Sequence, residues 1–396
     1  MILSNADIWV GDGTRRKGHV RVEGGVLLAV EDGAYHGSEE VIDLEGMALS
    51  PGLVDSMVLG GFGFSLQTDD VRKILQRYIR LGVTSCQVCA GGDDWDRMAE
   101  VERNVARALA DPYPDSSRLL GIYWEGPFKH PEFCGAALSD HCRAGTKENL
   151  DRMREGFGKT MTMVTVSPGI DGDVEAVRFF RDQGYPVTMS HSAAPAERVE
   201  ACVEAGSTIL GHCWNNHSGA LIEPGVQQPT LEHVSLTDER VQWIHLICDG
   251  VHVHPVVVRL VHRCRGTESI CLVTDAVPLA GAPDGGFTAN DGRTGFYKKD
   301  GVGRTESGGL CGSGLLLPDH LRNFVRFTGV PPWEAVRTVS YNPAASLGLS
   351  EEIGLIAPGR KADLAIWNEE LRLKRVFKEG VEMPVDDFAE VEVGNA

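Results

Sequence analysis

Eight short, β-rich apolar runs succeed one another between residues 53 and 276. They read LVDSMVL (53–59), VTSCQVC (83–89), LLGIYWE (119–125), TMVTVSP (162–168), PVTMSH (186–191), STILGHCW (207–214), VQWIHLICD (241–249) and SICLVTDA (269–276). Between several of them lie segments such as DDVRKILQRYIRLG, DVEAVRFFRDQG and AERVEACVEAG, whose apolar residues recur at helical spacing. Eight strand–helix repeats over about 290 residues predict an α/β fold, a (β/α)8 TIM barrel. A doubly wound open sheet is the alternative for such alternation. No Gly-rich dinucleotide fingerprint follows any of the strands, which speaks against it.

The two ends of the chain have a different character. ILSNADIWVG, GHVRVEGGVLLAVE and EVIDLEGMAL are strand-like and separated by Gly and Asp turns. GLIAPGRKADLAIWN and LRLKRVFKEG near the other end resemble them. The expectation is a small β-sandwich domain built from both termini, residues 1–49 plus 347–396, beside a barrel of residues 50–346.

The net charge of −18 argues against nucleic-acid binding through bulk electrostatics. It does not decide on a small anionic substrate, because local groups set that. No run approaches eighteen uninterrupted apolar residues, so no membrane span is expected. The first residues lack a basic stretch followed by an apolar core, so no signal peptide is expected. Ten scattered cysteines then suit reduced thiols and a cytoplasmic location. Cys86 and Cys89 form a CxxC, but residues three apart on a strand face opposite ways and make a poor chelate. Packing is the expected role of both.

A barrel carries its chemistry at the C-terminal ends of its strands. Strand 3 ends in Glu125, strand 5 in His191 and strand 6 in His212. Strand 7 runs into CDGVHVH, with Asp249, His252 and His254, and strand 8 nearly ends in Asp275. One carboxylate and two imidazoles make the three protein ligands of a catalytic zinc, with a position left for water. Asp275 can take that water's proton and later deliver it to a leaving group. Taken singly, each residue has an ordinary reading. The histidines can be hydrogen-bonded structural groups, Glu125 a salt-bridge partner, Asp275 a turn cap, and His252 and His254 part of a solvated helix start. The coincidence of ligand types at corresponding strand ends favours the metal site.

LSPGLVD, WEGPF, MSHSAA, GHCWN, CDGVHVHP, LVTDA and GLCGSG, then NPAASLGL and IGLIAPGRKADLAIWN, resemble in order and spacing the amidohydrolase superfamily. Within it the chain looks most like the N-acetylglucosamine-6-phosphate deacetylases, over nearly its whole length. That resemblance implies hydrolysis of an N-acetyl group on an amino sugar. It implies Glu125, His191 and His212 as ligands of one divalent metal, with Asp275 as the catalytic acid–base. It implies substrate binding by Asn215 and His252, with the backbone of Leu310 and Cys311 beside the substrate. Zinc suits this ligand set first, and iron, cobalt or manganese fit the same geometry. The partner is then a small N-acylated molecule, and a homodimer is implied.

The chain departs from the family pattern in three ways. Members that hold two metals carry two histidines at the end of strand 1, where this chain has Met57 and Leu59. The resemblance then implies a single-ion site, with apolar bulk in the second position. A histidine that polarises the substrate carbonyl usually follows EGPF, where the aligned residue here is Ala137, with His130 and His141 nearby. A phosphate-clamping arginine usually lies between strands 6 and 7, whereas this segment has no Arg or Lys before Arg240. A phosphate clamp relies on such groups. The expected substrate is therefore unphosphorylated, or its anion is held differently. Cyclic-amide opening or deamination is an alternative. Cyclic-amide members bridge two metals with a strand-4 lysine, which TMVTVSP lacks. A catalytically silent barrel is the other alternative, prompted by Met57, Leu59 and Ala137 and opposed by the retention of Glu125, His191, His212 and Asp275 together.

Overall fold

The computed structural model describes residues 1–91, 94–215, 228–288 and 293–386. Each of the eight runs forms a strand: β1 (Leu53–Val58), β2 (Val83–Ala90), β3 (Arg118–Phe128), β4 (Met161–Val166), β5 (Val187–Met189), β6 (Ile209–Leu210), β7 (Trp243–Leu246) and β8 (Ile270–Leu272). Neighbours in sequence are neighbours in the sheet, and every pairing among them is parallel. The sheet closes just beyond β8, where Val58 bridges Ala276 and the Asp275 N–H donates to the Met57 carbonyl at 2.9 Å. That closure excludes the open-sheet alternative. Helices from Val71–Tyr78 to Leu317–Thr328 surround the barrel.

Parallel strands covered on both faces must be apolar on both. Inside the barrel, Met57, Cys89, Tyr123, Met163, Ile209, Ile247 and Val273 form one buried cluster. Outside it, Cys86, Val88, Val164 and Leu272 pack in the cluster shared with helix residues such as Ile74 and Phe180. Cys86 and Cys89 thus face opposite sides of β2, as the two-residue period requires. None of the ten cysteines is in a disulfide.

The small domain is one eight-stranded sheet, with strands from Ile2–Trp9 to Ala48–Pro51 and from Leu364–Trp367 to Val381–Met383. Ala48–Pro51 joins the two ends of the chain, pairing with Ile2–Trp9 on one side and Leu364–Trp367 on the other. The sheet folds over a core that includes Leu3, Ile8, Leu27, Leu49, Leu364 and Phe377. Val26 also bridges Lys361, a further contact between the two ends of the chain. Arg118, at the start of β3, ties the domains together through Asp363 at 2.6 Å. Two stretches considered above fall outside the described residues: 216–227 of the segment between β6 and β7, and 387–396 at the C-terminus. No helix among the described residues is long and apolar enough to cross a membrane.

Candidate active site

Glu125, His191, His212 and Asp275 line one cavity at the C-terminal end of the barrel. Glu125 lies on β3, one residue separates His191 from the end of β5 and His212 from the end of β6, and two separate Asp275 from the end of β8. His191, His212 and Asp275 have positive φ angles of 54°, 20° and 50°. Such backbone is unfavourable for non-glycine residues and clusters at functional sites.

Both imidazoles are oriented by backbone carbonyls, His191 Nδ1 by Phe133 at 2.7 Å and His212 Nδ1 by Asn215 at 3.1 Å. A carbonyl oxygen only accepts, so Nδ1 carries the proton in each ring and Nε2 carries the lone pair. The two Nε2 atoms are 3.1 Å apart, and Glu125 Oε1 is 3.1 Å from one and 2.8 Å from the other. Three lone-pair atoms facing one another this closely repel unless a cation stands between them. Tetrahedral ligands about 2.0–2.1 Å from zinc lie roughly 3.3 Å apart, close to the spacing here. The residues present therefore fit a divalent ion, and among the described residues they are the set of three that does.

Burial alone would raise the Glu125 pKa, but Lys129 and the two imidazoles outweigh it and hold the carboxyl well below its ordinary range. His191 is pushed down to about 3 by burial and then by Lys129, which keeps its ring neutral. Burial also opposes charge on His212, but the Glu125 carboxylate beside it favours the protonated ring, prevails and raises its pKa. Asp275 is pushed up to about 7, first by burial and then by Glu125. A carboxyl poised near neutral pH is suited to both taking and returning a proton.

Of the remaining sequence candidates, Asn215, Leu310 and Cys311 line the same cavity. Gly312 follows them with φ of +112°, and a Cβ there would meet the Asp275 carbonyl at 2.4 Å. His252 is not among the lining residues. It is buried, its Nδ1 bonded to Asp249 at 2.6 Å, and its Nε2 has no hydrogen-bond partner. His254 caps the helix Pro255–Arg265 by accepting from the Val256 N–H, the ordinary reading of that residue. Met57 is fully buried in the barrel and Leu59 reaches the cavity wall, so apolar atoms do fill the end of β1. Ala137 also lines the cavity, whereas His130 and His141 do not.

Three groups escaped the sequence reading. Lys129 donates to Glu125 Oε2 at 2.9 Å and is itself buried. Burial opposes its charge, but Glu125 prevails and its pKa is raised. Its position four residues after Glu125, in WEGPFK, was the available signal. Arg293 reaches the cavity from beyond β8, donating to the Ala136 carbonyl at 2.6 Å and lying over the Phe296 ring. Asp55 accepts at 2.7 Å from Oγ1 of Thr274, the residue before Asp275. Nothing local in the sequence marks either.

Residues 116–387 match the Amidohydrolase family. The chain belongs to that family. It is 32% identical over 364 residues to the N-acetylgalactosamine-6-phosphate deacetylase of Escherichia coli O157:H7, covering 91% of this chain and 93% of the relative. The N-acetylglucosamine-6-phosphate deacetylase of Vibrio furnissii is 31% identical, covering 90% and 88%. The crystal structure of N-acetylglucosamine-6-phosphate deacetylase from Thermotoga maritima superposes with a TM-score of 0.85 at 28% identity, covering 96% of this chain and 99% of that one.

Proposed function

We propose that the protein is a single-ion amidohydrolase that removes the acetyl group from an N-acetyl amino sugar. The observation that carries this reading is the convergence of His191 Nε2, His212 Nε2 and Glu125 Oε1 within hydrogen-bond distance of one another. Relatives named as amino-sugar phosphate deacetylases, over about nine-tenths of the chain, support the substrate class. Glu125, His191 and His212 would hold the ion, and zinc is our first choice. When bound, a divalent ion supplies Lewis acidity, polarising an oxygen ligand and acidifying water. Asp275 takes the proton of the attacking water at its carboxylate and gives it to the departing nitrogen. Asn215, Leu310 and Cys311 border the space in which the substrate lies.

The substrate we favour is unphosphorylated, because the segment from Trp214 to Glu239 offers no arginine or lysine. One observation favours a second reading, a phosphorylated sugar: Arg293 lines the same cavity. Kinetics on N-acetylglucosamine and N-acetylgalactosamine, each with and without a 6-phosphate, separate the two. We expect acetate release with about one metal ion per chain. A preference for the phosphate above about a hundredfold in kcat/KM, roughly 2.7 kcal/mol, sinks the unphosphorylated reading. No hydrolysis of any of the four by the metal-loaded protein sinks the deacetylase reading itself.

A cytoplasmic location belongs to the same proposal, supported by ten unpaired cysteines. So does a homodimer, which would cover the exposed Val251, Val256 and Leu260 on and before the helix Pro255–Arg265. Light scattering on the purified protein tests it. In place of a division at residue 49 we put the first boundary after Pro51, where the small domain's strand Ala48–Pro51 ends, and the second after Ile353, which packs with Val54 and Ala344 of the barrel. Limited proteolysis that cuts elsewhere would argue against it.

A further inference from the structure

Lys129 carries a buried ammonium, with 3% of its side chain exposed. It bonds to Glu125 Oε2, while the Nε2 atoms of the two imidazoles face Oε1. Lysine has three N–H donors, and this is the bond that the described residues accept from it. A cation with unused donors is costly to bury unless some oxygen accepts from them. Lys129 lines the cavity together with Glu125, His191, His212 and Asp275, so the unused donors belong to the space where a substrate must lie. Ala137 also lines that space, and its side chain has no donor to offer.

We propose that Lys129 is a further catalytic residue, whose ammonium binds the substrate's carbonyl oxygen and holds it as negative charge develops there. The assignment rests on the reading of this site as an amide hydrolase. As the oxygen of water adds to the carbonyl carbon, the π pair of the C=O bond moves onto the carbonyl oxygen. Lys129 donates hydrogen bonds to that oxygen and keeps its proton. The pair returns as the C–N bond breaks, and the nitrogen leaves with the proton carried by Asp275. The products are acetate and the free amine. Preorganised donors in a water-poor site are effective because they need no reorganisation as charge appears. Glu125 serves here as the anchor that fixes the ammonium.

The test uses the metal-loaded protein and the variants Lys129→Met, Lys129→Gln and Lys129→Arg. For Lys129→Met we expect kcat to fall by about 10²–10³, the usual cost of one oxyanion donor, with KM little changed. Metal content should stay at one ion per chain. Calorimetric affinity for methylphosphonate, a tetrahedral anion of acyl size, should fall at least about tenfold, and Lys129→Arg should recover part of both losses. Lys129→Gln, which keeps a donor, serves where the Met variant does not fold. Unchanged kcat, unchanged methylphosphonate binding, or metal and activity lost together would overturn the proposal; the last would make Lys129 only a counter-ion of Glu125. If the wild type hydrolyses no N-acetyl amino sugar, the function reading fails, and the methylphosphonate comparison then decides Lys129 alone.

Discussion

Replacing Glu125 by Gln in the metal-free protein should destabilise it far more than an exposed Glu→Gln change does. Glu125 and Lys129 are an ion pair at 2.9 Å whose side chains are 15% and 3% exposed. Removing one partner of a buried pair leaves the other charge without compensation, at about 3–5 kcal/mol. Whole domains are stable by only about 5–15 kcal/mol, so this is a large fraction. Lys129→Met should cost less, because Glu125 keeps His212, whose pKa that carboxylate raises, as a partner at 2.8 Å. The double variant removes both charges, so it should cost less than the two single changes together, by about 2–3 kcal/mol. Urea unfolding in the presence of a chelator, followed by tryptophan fluorescence, measures all four proteins. The pH dependence has a definite sign. The Glu125 pKa is depressed in the folded state, so its stabilisation is complete above the unfolded value of about 4.3 and is lost as pH falls through the folded one. The gap between wild type and Glu125→Gln should therefore narrow on acidification. Additive single costs, or a gap that widens in acid, would refute the reasoning.

Asp275→Asn should keep the metal and lose about 10²–10⁴ in kcat, since the amide cannot carry the proton; activity within tenfold of wild type would remove Asp275 from that role. Gly312→Ala places a methyl 2.4 Å from the Asp275 carbonyl in backbone that disfavours L side chains. The strand Leu310–Ser313 must then shift, and kcat/KM should fall by up to about a hundredfold with metal content unchanged; steady-state kinetics with metal analysis checks both.

The sequence alone determined the barrel, because a strand apolar on both faces is written as a continuous run and eight such runs alternate with amphipathic helices. It also determined the core of the site. A barrel gathers its strand ends on one face, so Glu125, His191, His212 and Asp275 met although 150 residues separate Glu125 from Asp275. Met57 and Leu59 were legible as an apolar end to β1 for the same reason. Only the tertiary structure decided what surrounds those groups. Lys129 follows a strand end, and whether it turns to solvent or back onto Glu125 depends on packing that no local pattern records. Arg293 reaches the Ala136 carbonyl across 157 residues of chain, and His252 is drawn to Asp249, outside the cavity lining. Strand periodicity fixes which face a residue takes, whereas the direction of a loop side chain follows from the charges and carbonyls that folding brings within about 3 Å of it.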